Sequence, residues 1–461
     1  MSYELFPQET LSLVEILSAL SYALDLTGGQ PMGHAQRSCL IGMRLGMDLG
    51  LDQDRLSSLY HALLLKDSGC SSNAARMYEI YGSDEIAAKR DGKIVDWSNV
   101  LEAAKYAAAH ALPTGGLLAR AQRMLQIATH REEVAAAVFQ SRCDRGAQVA
   151  LGLGLGQEAA ECIRALDEHW DGLGAPARLA GEQIPLLARI ACLAQTLEVF
   201  VQTFGLDAAY AMLRDRSRRW FDPELVRLAE GFRADTAFWT QLSEAPREAL
   251  LALDIRASVE IATASRIDAV CDAFAEIVDA KSHFTAEHST RVCQYAVEIA
   301  QAMGFNGVRL TQIRRAALLH DIGKLAVSNA ILDKPGKLDA AEWQVIKQHP
   351  YYTQQILGQI QGFSRLSEIA AAHHERLDGS GYFRGLSANA LDTEMRILAV
   401  ADVFDALSAA RPYRGALPLS EVFAIMDKDA NTALDGDCLA LLKQRYAERA
   451  FVGDEAFRRA A

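Results

Sequence analysis

Cysteine, proline and basic charge are all scarce in this 461-residue chain, and each scarcity removes a class of protein. The eight cysteines, Cys39, Cys70, Cys143, Cys162, Cys192, Cys271, Cys293 and Cys438, are scattered without any CxxC spacing. That pattern excludes a disulfide scaffold and a thiolate zinc site, and it predicts reduced, packed thiols. A formal net charge of −12 argues against a nucleic-acid polymer as partner, because neutralising phosphates needs a basic surface. A small anionic ligand is still permitted, since local arginines or metals outweigh the global charge. No uncharged apolar run approaches 18 residues; the best stretch, Ile190–Leu206, is interrupted by Gln195, Glu198 and Gln202. No membrane span is therefore expected. The start, Met1-Ser2-Tyr3-Glu4, lacks the basic and apolar parts of a signal peptide, so a cytoplasmic protein is the expectation.

Strand signals are also scarce. Period-two alternation is rare, whereas apolar residues recur at spacings of three and four, as in Leu11, Val14, Leu17 and Leu20 or Leu310, Ile313 and Ala317. The 11 prolines sit mostly at loops or helix starts, such as Pro223, Pro335, Pro350 and Pro418. These patterns predict an all-α fold with loops at 91–96, 172–181 and 377–390. The length allows two or three domains with full cores. Gly152-Leu153-Gly154-Leu155-Gly156 is read as a turn, because no strand precedes it as a dinucleotide site requires. The run Arg214-Asp215-Arg216-Ser217-Arg218-Arg219 is read as a solvated helix face.

What the chain does have is a supply of metal ligands. The apolar run Ala316-Ala317-Leu318-Leu319 ends in His320-Asp321, with Lys324 one turn further on. His288 lies upstream, and His349, His373, His374 and Asp402 follow downstream. Seven nitrogen and oxygen donors with no clustered thiols suit a dinuclear site for iron, manganese or a similar divalent ion, zinc included.

Seven segments together resemble successive signatures of the HD-GYP family. They are Glu287-His288-Ser289-Thr290-Arg291-Val292, His320-Asp321-Ile322-Gly323-Lys324, Lys334-Pro335-Gly336-Lys337-Leu338, His349-Pro350, His373-His374-Glu375, Asp378-Gly379-Ser380-Gly381-Tyr382 and Ala401-Asp402-Val403-Phe404-Asp405-Ala406-Leu407. The resemblance covers Ile267 to Val452. It departs from the pattern at Phe383, where the family's naming proline is expected, and at Glu287, where glycine is usual. The resemblance implies a metal-dependent phosphodiesterase that hydrolyses cyclic di-GMP to the linear dinucleotide and onward to GMP. It implies that His288, His320 and Asp402 hold one metal, that His349, His373 and His374 hold the other, and that Asp321 bridges the two. The place of a third-metal glutamate is taken by Phe284, so two metals are expected. Lys324 is expected to face the same cavity as Asp321 and stabilise phosphoryl charge. Asp378 and Tyr382 are expected at the pocket mouth, with Arg411 and Arg414 contacting phosphate or guanine. The alternatives are a phosphohydrolase for another cyclic dinucleotide or nucleotide, a receptor that binds cyclic di-GMP without hydrolysis, and a diiron oxygenase of the wider superfamily.

The chain also repeats itself. Gly33-His34-Ala35-Gln36-Arg37 resembles Glu287-His288-Ser289-Thr290-Arg291, and Lys66-Asp67-Ser68-Gly69 resembles His320-Asp321-Ile322-Gly323. The interval from the first histidine to the aspartate is 33 residues in both copies. From the Asp-Gly loop to the last ligand position, Asp171 to Gln195 and Asp378 to Asp402, it is 24 in both. At the seven ligand positions the first copy offers His34, Lys66, Asp67, Arg142, Leu166, Asp167 and Gln195. It is expected to hold no metal, with Lys66 and Arg142 pairing to Asp67 and Asp167 instead. The expected organisation is a degenerate domain at 1–235 with an insert near 71–120, a helical connector at 236–265 with a continuous helix over 257–280, and a catalytic domain at 266–461. The first half is expected to regulate the second, and to offer the contact for a homodimer or a signalling partner.

Overall fold

The computed structural model describes residues 11–129, 131–259, 261–283, 285–409 and 415–452. Every regular element among them is a helix, and β pairing is confined to four isolated bridges. The all-α expectation holds. Phe284, Arg411 and Arg414 lie outside the described residues. All eight cysteines are buried and unbridged, as their scatter predicts.

The chain divides into two compact units, Met1–Ala269 with Ser328–Ala330, and Val270–Val327 with Ile331–Ala461. The first unit is built around the 19-residue helix Leu186–Phe204, which starts after Pro185 and stops at Gly205 with φ 83°. This helix is long and apolar enough to cross a membrane by length and composition, but 67% of its most apolar window is buried. Ile190, Leu193, Ala194 and Leu197 are fully buried, and the helix packs against His34–Asp48 and Gln157–Arg164. Each large apolar side chain so buried contributes roughly 1.5–3 kcal/mol. The basic run is only partly a solvated face. Arg216 is buried, with its guanidinium 4.1 Å above the Trp220 ring and 5.1 Å from that of Phe200. Its aromatic partners cover the methylene stem that a solvated arginine would leave in water.

The connector does not form one helix. It is divided into Thr236–Glu244, Pro246–Leu251 and the 3-10 turn Arg256–Val259, and the next helix, Ala264–Asp279, starts afresh. Pro246 lacks the N–H that a continuing helix would use, and Thr263 Oγ1 accepts from the Arg266 N–H at 3.2 Å as a new cap. Ala249 and Leu250 are buried, and their helix packs against His34–Asp48.

In the second unit, the helices His288–Ala302, Gly307–Leu319, His349–Leu357, Ser364–Ala371 and Thr393–Ser408 carry the ligands or lead into them. Ile313, Ala316, Ala317, Leu318 and Leu319 are buried, so Gly307–Leu319 delivers its C-terminal end to the interior. There His320 is the cap and Asp321 leaves the helix at φ −97°, ψ 7°. That change of direction turns two adjacent side chains toward one cavity. Gly323 permits it: a Cβ there would sit 2.0 Å from the His349 carbonyl oxygen. Thr353 Oγ1 fixes the same junction, donating to the His320 carbonyl at 2.8 Å and accepting from the Gly323 N–H at 3.1 Å.

Candidate metal centre

Seven side chains from five places in the second unit converge on one buried cavity. Asp321 stands in the middle. Its Oδ2 faces His288 Nε2 at 3.2 Å and His320 Nε2 at 3.4 Å, and its Oδ1 faces His349 Nε2 at 3.3 Å and His373 Nε2 at 3.6 Å. Asp402 reaches the first group through Oδ1, 3.4 Å from His288 Nε2, and approaches His374 Nδ1 through Oδ2 at 3.7 Å. The ligand atoms of His288, His320 and Asp321 all lie within 4.8 Å of one another, as do those of His349, His373 and His374.

The far nitrogens of these rings explain why the near ones face inward. His320, His349 and His373 place Nδ1 at 2.7, 2.7 and 2.6 Å from the carbonyls of Ala317, Ile346 and Ala370. A carbonyl only accepts, so each Nδ1 carries the proton and each Nε2 keeps its lone pair for the cavity. His288 is held in the same sense by Asp405, with Nδ1 2.7 Å from Oδ2. Asp405 is itself fixed by Arg291, whose Nε and Nη2 donate at 2.6 and 3.0 Å.

Divalent cations fit this donor set. His349 Nε2 and His373 Nε2 are 2.9 Å apart with both protons on the opposite nitrogens, so two lone pairs face each other and call for a shared cation. His288 Nε2, His320 Nε2 and Asp321 Oδ1 are buried without a hydrogen-bond partner. Without a metal the cavity draws protons instead. Burial works against charging His288 and His320, but Asp321 and Asp402 outweigh it, helped at His288 by Asp405, and lift the two rings to about 10 and about 9. At His374 burial dominates and lowers the ring to about 3.

The remaining expected residues divide. Lys324 Nζ donates to Asp321 Oδ2 at 2.5 Å, so it shares the cavity. The Tyr382 ring lies 4.7 Å from that of His374, at the mouth. Asp378 is not brought to the cluster; its carboxylate accepts from Ser380 N–H and Oγ–H at 2.9 and 2.6 Å, closing its own loop. Glu375 ties that loop down, accepting from the N–H groups of Arg384 and Leu386, both at 2.8 Å. Sequence reading missed Asp405 and Arg291 as supports of His288. The available signal was the recurrence of an acid at the matching place, Glu198, three residues beyond Gln195.

That recurrence makes the first unit informative. His34 Nδ1 meets Glu198 Oε2, and Arg37 Nε donates to Glu198 Oε1 at 2.6 Å, the same frame as His288, Asp405 and Arg291. Lys66, at the place of His320, donates from Nζ to His34 Nε2 at 2.8 Å and also pairs with Asp67. Arg142, at the place of His349, pairs with Asp167. A third cation was not foreseen. Lys93, from the insert, donates to Asp67 Oδ1 at 3.3 Å and lies 3.4 Å from His34 Nε2. Burial alone would raise the Asp67 carboxyl, but Lys66 and Lys93 hold it well below the usual range.

Residues 57–225 and 260–438 each match the HD domain family. The chain is 42% identical to a 3'3'-cGAMP-specific phosphodiesterase 3 of Vibrio cholerae, over 95% of each chain. It is 43% identical to a cyclic di-GMP phosphodiesterase of Thermotoga maritima, over 30% of this chain and 38% of that one. Among solved structures, it resembles that of a cyclic GMP-AMP specific phosphodiesterase of V. cholerae with a TM-score of 0.66 and 37% identity, covering 94% of this chain and 97% of the other.

Proposed function

The chain belongs to the HD domain family, and on that premise we propose that its second half is a metal-dependent phosphodiesterase opening cyclic dinucleotides, with 3'3'-cGAMP as the preferred substrate. The observation that carries the reading is Asp321, which turns one carboxylate oxygen to each of two ligand groups. The sequence motifs alone point to cyclic di-GMP. The preference moves to 3'3'-cGAMP because likeness to a phosphodiesterase of that name extends over 95% of both chains. Likeness to the T. maritima cyclic di-GMP enzyme covers 30% of this chain.

Held by His288, His320 and Asp402 on one side and by His349, His373 and His374 on the other, two divalent cations would polarise the phosphodiester and acidify water. The chain's own residues do the rest. The carbonyls of Ala317, Ile346 and Ala370 turn Nε2 of His320, His349 and His373 toward the cavity, and Asp405 turns that of His288 the same way. Lys324 is placed to leave Asp321 and donate to a phosphoryl oxygen, where negative charge grows during displacement. His374 is the most exposed ligand, with a side chain 24% accessible, so substrate enters from its side under Tyr382. The first half, whose pseudo-site is filled by its own cations, serves as the regulatory half.

The test is to load the protein without oxygen with iron(II) or manganese(II) and follow 3'3'-cGAMP and cyclic di-GMP by chromatography. The expected product is the linear dinucleotide, formed faster from 3'3'-cGAMP. Asp321→Ala should lower turnover on the order of 10⁴-fold, as removal of one member of a catalytic unit does. Tight nucleotide binding without turnover in metal-replete protein would favour a receptor.

A further inference from the structure

Trp343 is an exposed tryptophan beside a buried metal centre, and nothing in the hydrolytic chemistry uses it. It lies on the short helix Ala340–Ile346, whose start is fixed by a capping box: Asp339 accepts from Ala341 and Glu342 N–H groups, and Glu342 accepts from the Asp339 N–H. Lys334 anchors the same Glu342 at 2.6 and 2.7 Å. The helix is thus pinned at its polar end while Trp343 is left 43% exposed. The ring lies 6.1 Å from Tyr382, edge to face, and Tyr382 lies 4.7 Å from the ligand His374. Lys347 Nζ is 5.8 Å from the Trp343 ring and 5.5 Å from the Tyr382 ring. An aromatic wall therefore runs outward from the metal centre with an ammonium group over its two outer rings.

We infer that this wall is a purine subsite, in which Trp343 stacks the guanine base of the substrate and Lys347 donates to its acceptor edge. The inference rests on the proposed phosphodiesterase reading. An aromatic face supports any base by stacking. An ammonium beside it distinguishes bases, because guanine presents two acceptors, N7 and O6, where adenine presents N7 and the N6 donor. Continuity with His374 places the wall where a base joined by ribose to the scissile phosphate would lie. Both 3'3'-cGAMP and cyclic di-GMP contain guanine, and cyclic di-AMP does not.

The test measures KM and kcat for 3'3'-cGAMP, cyclic di-GMP and cyclic di-AMP in wild type, Trp343→Ala, Trp343→Phe and Lys347→Gln. Bis(p-nitrophenyl) phosphate serves as a diester without a purine. Trp343→Ala should raise KM for 3'3'-cGAMP about 10-fold more than for the purine-free diester, with Trp343→Phe recovering most of the loss. Lys347→Gln should narrow the preference for cyclic di-GMP over cyclic di-AMP about 10-fold. Equal losses on both kinds of diester would assign Trp343 to support of the metal centre and overturn the subsite. If wild type opens no cyclic dinucleotide, the phosphodiesterase reading fails, and tryptophan fluorescence on titration with GMP decides the subsite alone. Quenching lost in Trp343→Phe sustains it, and quenching unaltered in that variant ends it.

Discussion

The two halves build one frame and place different cations inside it. His34, Glu198 and Arg37 in the first half repeat His288, Asp405 and Arg291 in the second, down to the arginine Nε that donates at 2.6 Å in each. Gly69 and Gly323 repeat the same close approach, with a Cβ meeting Arg142 O at 1.9 Å or His349 O at 2.0 Å. Inside the frame, the second half offers imidazole nitrogens and carboxylate oxygens that suit exchangeable ions. The first supplies ammonium and guanidinium groups from its own chain. A tethered cation neutralises a buried carboxylate as well as a metal does, but it holds no open coordination position for a phosphodiester. The frame is therefore a packing device, and chemistry depends on what fills it.

The largest effect that would test this contrast is in the first half. Lys66→Met leaves Asp67 buried without its nearest ammonium and should cost about 3–5 kcal/mol in thermal or denaturant unfolding, with no change in bound metal. A gain of metal in that variant would break the comparison.

Asp25 gives a pH test. It is buried and caps the start of His34–Asp48, accepting from the Gly33 and Ala35 N–H groups at 2.8 and 3.0 Å. Burial raises its carboxyl to about 7, despite Lys66. The unfolded chain loses that proton near 3.9. The contribution of Asp25 is thus complete below about pH 4 and is lost as pH rises through about 7. Asp25→Asn should flatten the fall in stability across that window, read from unfolding midpoints at several pH values.

In the second half, Asp405→Ala frees the His288 ring and should weaken metal affinity about 10–100-fold, measured by competition with a chelator. Glu198→Ala, its counterpart, should alter stability and leave metal content as it was. The smallest effect belongs to the helix start. Glu287 holds φ 58°, where the first half has Gly33 at φ 89°. Glu287→Gly should stabilise the second half by about 1 kcal/mol, the order of the left-handed cost of a side chain.

Much of this was legible in the chain. The all-α class followed from periodicity, the tandem organisation from two conserved intervals, and the seven donors from residue type and order. The expectation that Lys66 and Arg142 pair with Asp67 and Asp167 matches the contacts found. Lys93 was not legible, because the 71–120 insert brings it to His34 from 59 residues away. The break at Pro246 carries a signal in the proline itself, but the one before Ala264 was not legible, since helical pattern continues across Thr263 and only its side-chain cap marks the new start.

The sequence by itself determined which atoms were available and in what order, because residue type fixes donor chemistry and local spacing fixes helical faces. Only the tertiary structure decided that Asp405 and Arg291 hold the His288 ring, which oxygen of Asp321 meets which group, and that Trp343 stands beside Tyr382. Those choices depend on carboxylates, a guanidinium and rings that lie far apart along the chain and meet only when the helices pack, whereas His320, His349 and His373 take their orientation from carbonyls three residues back.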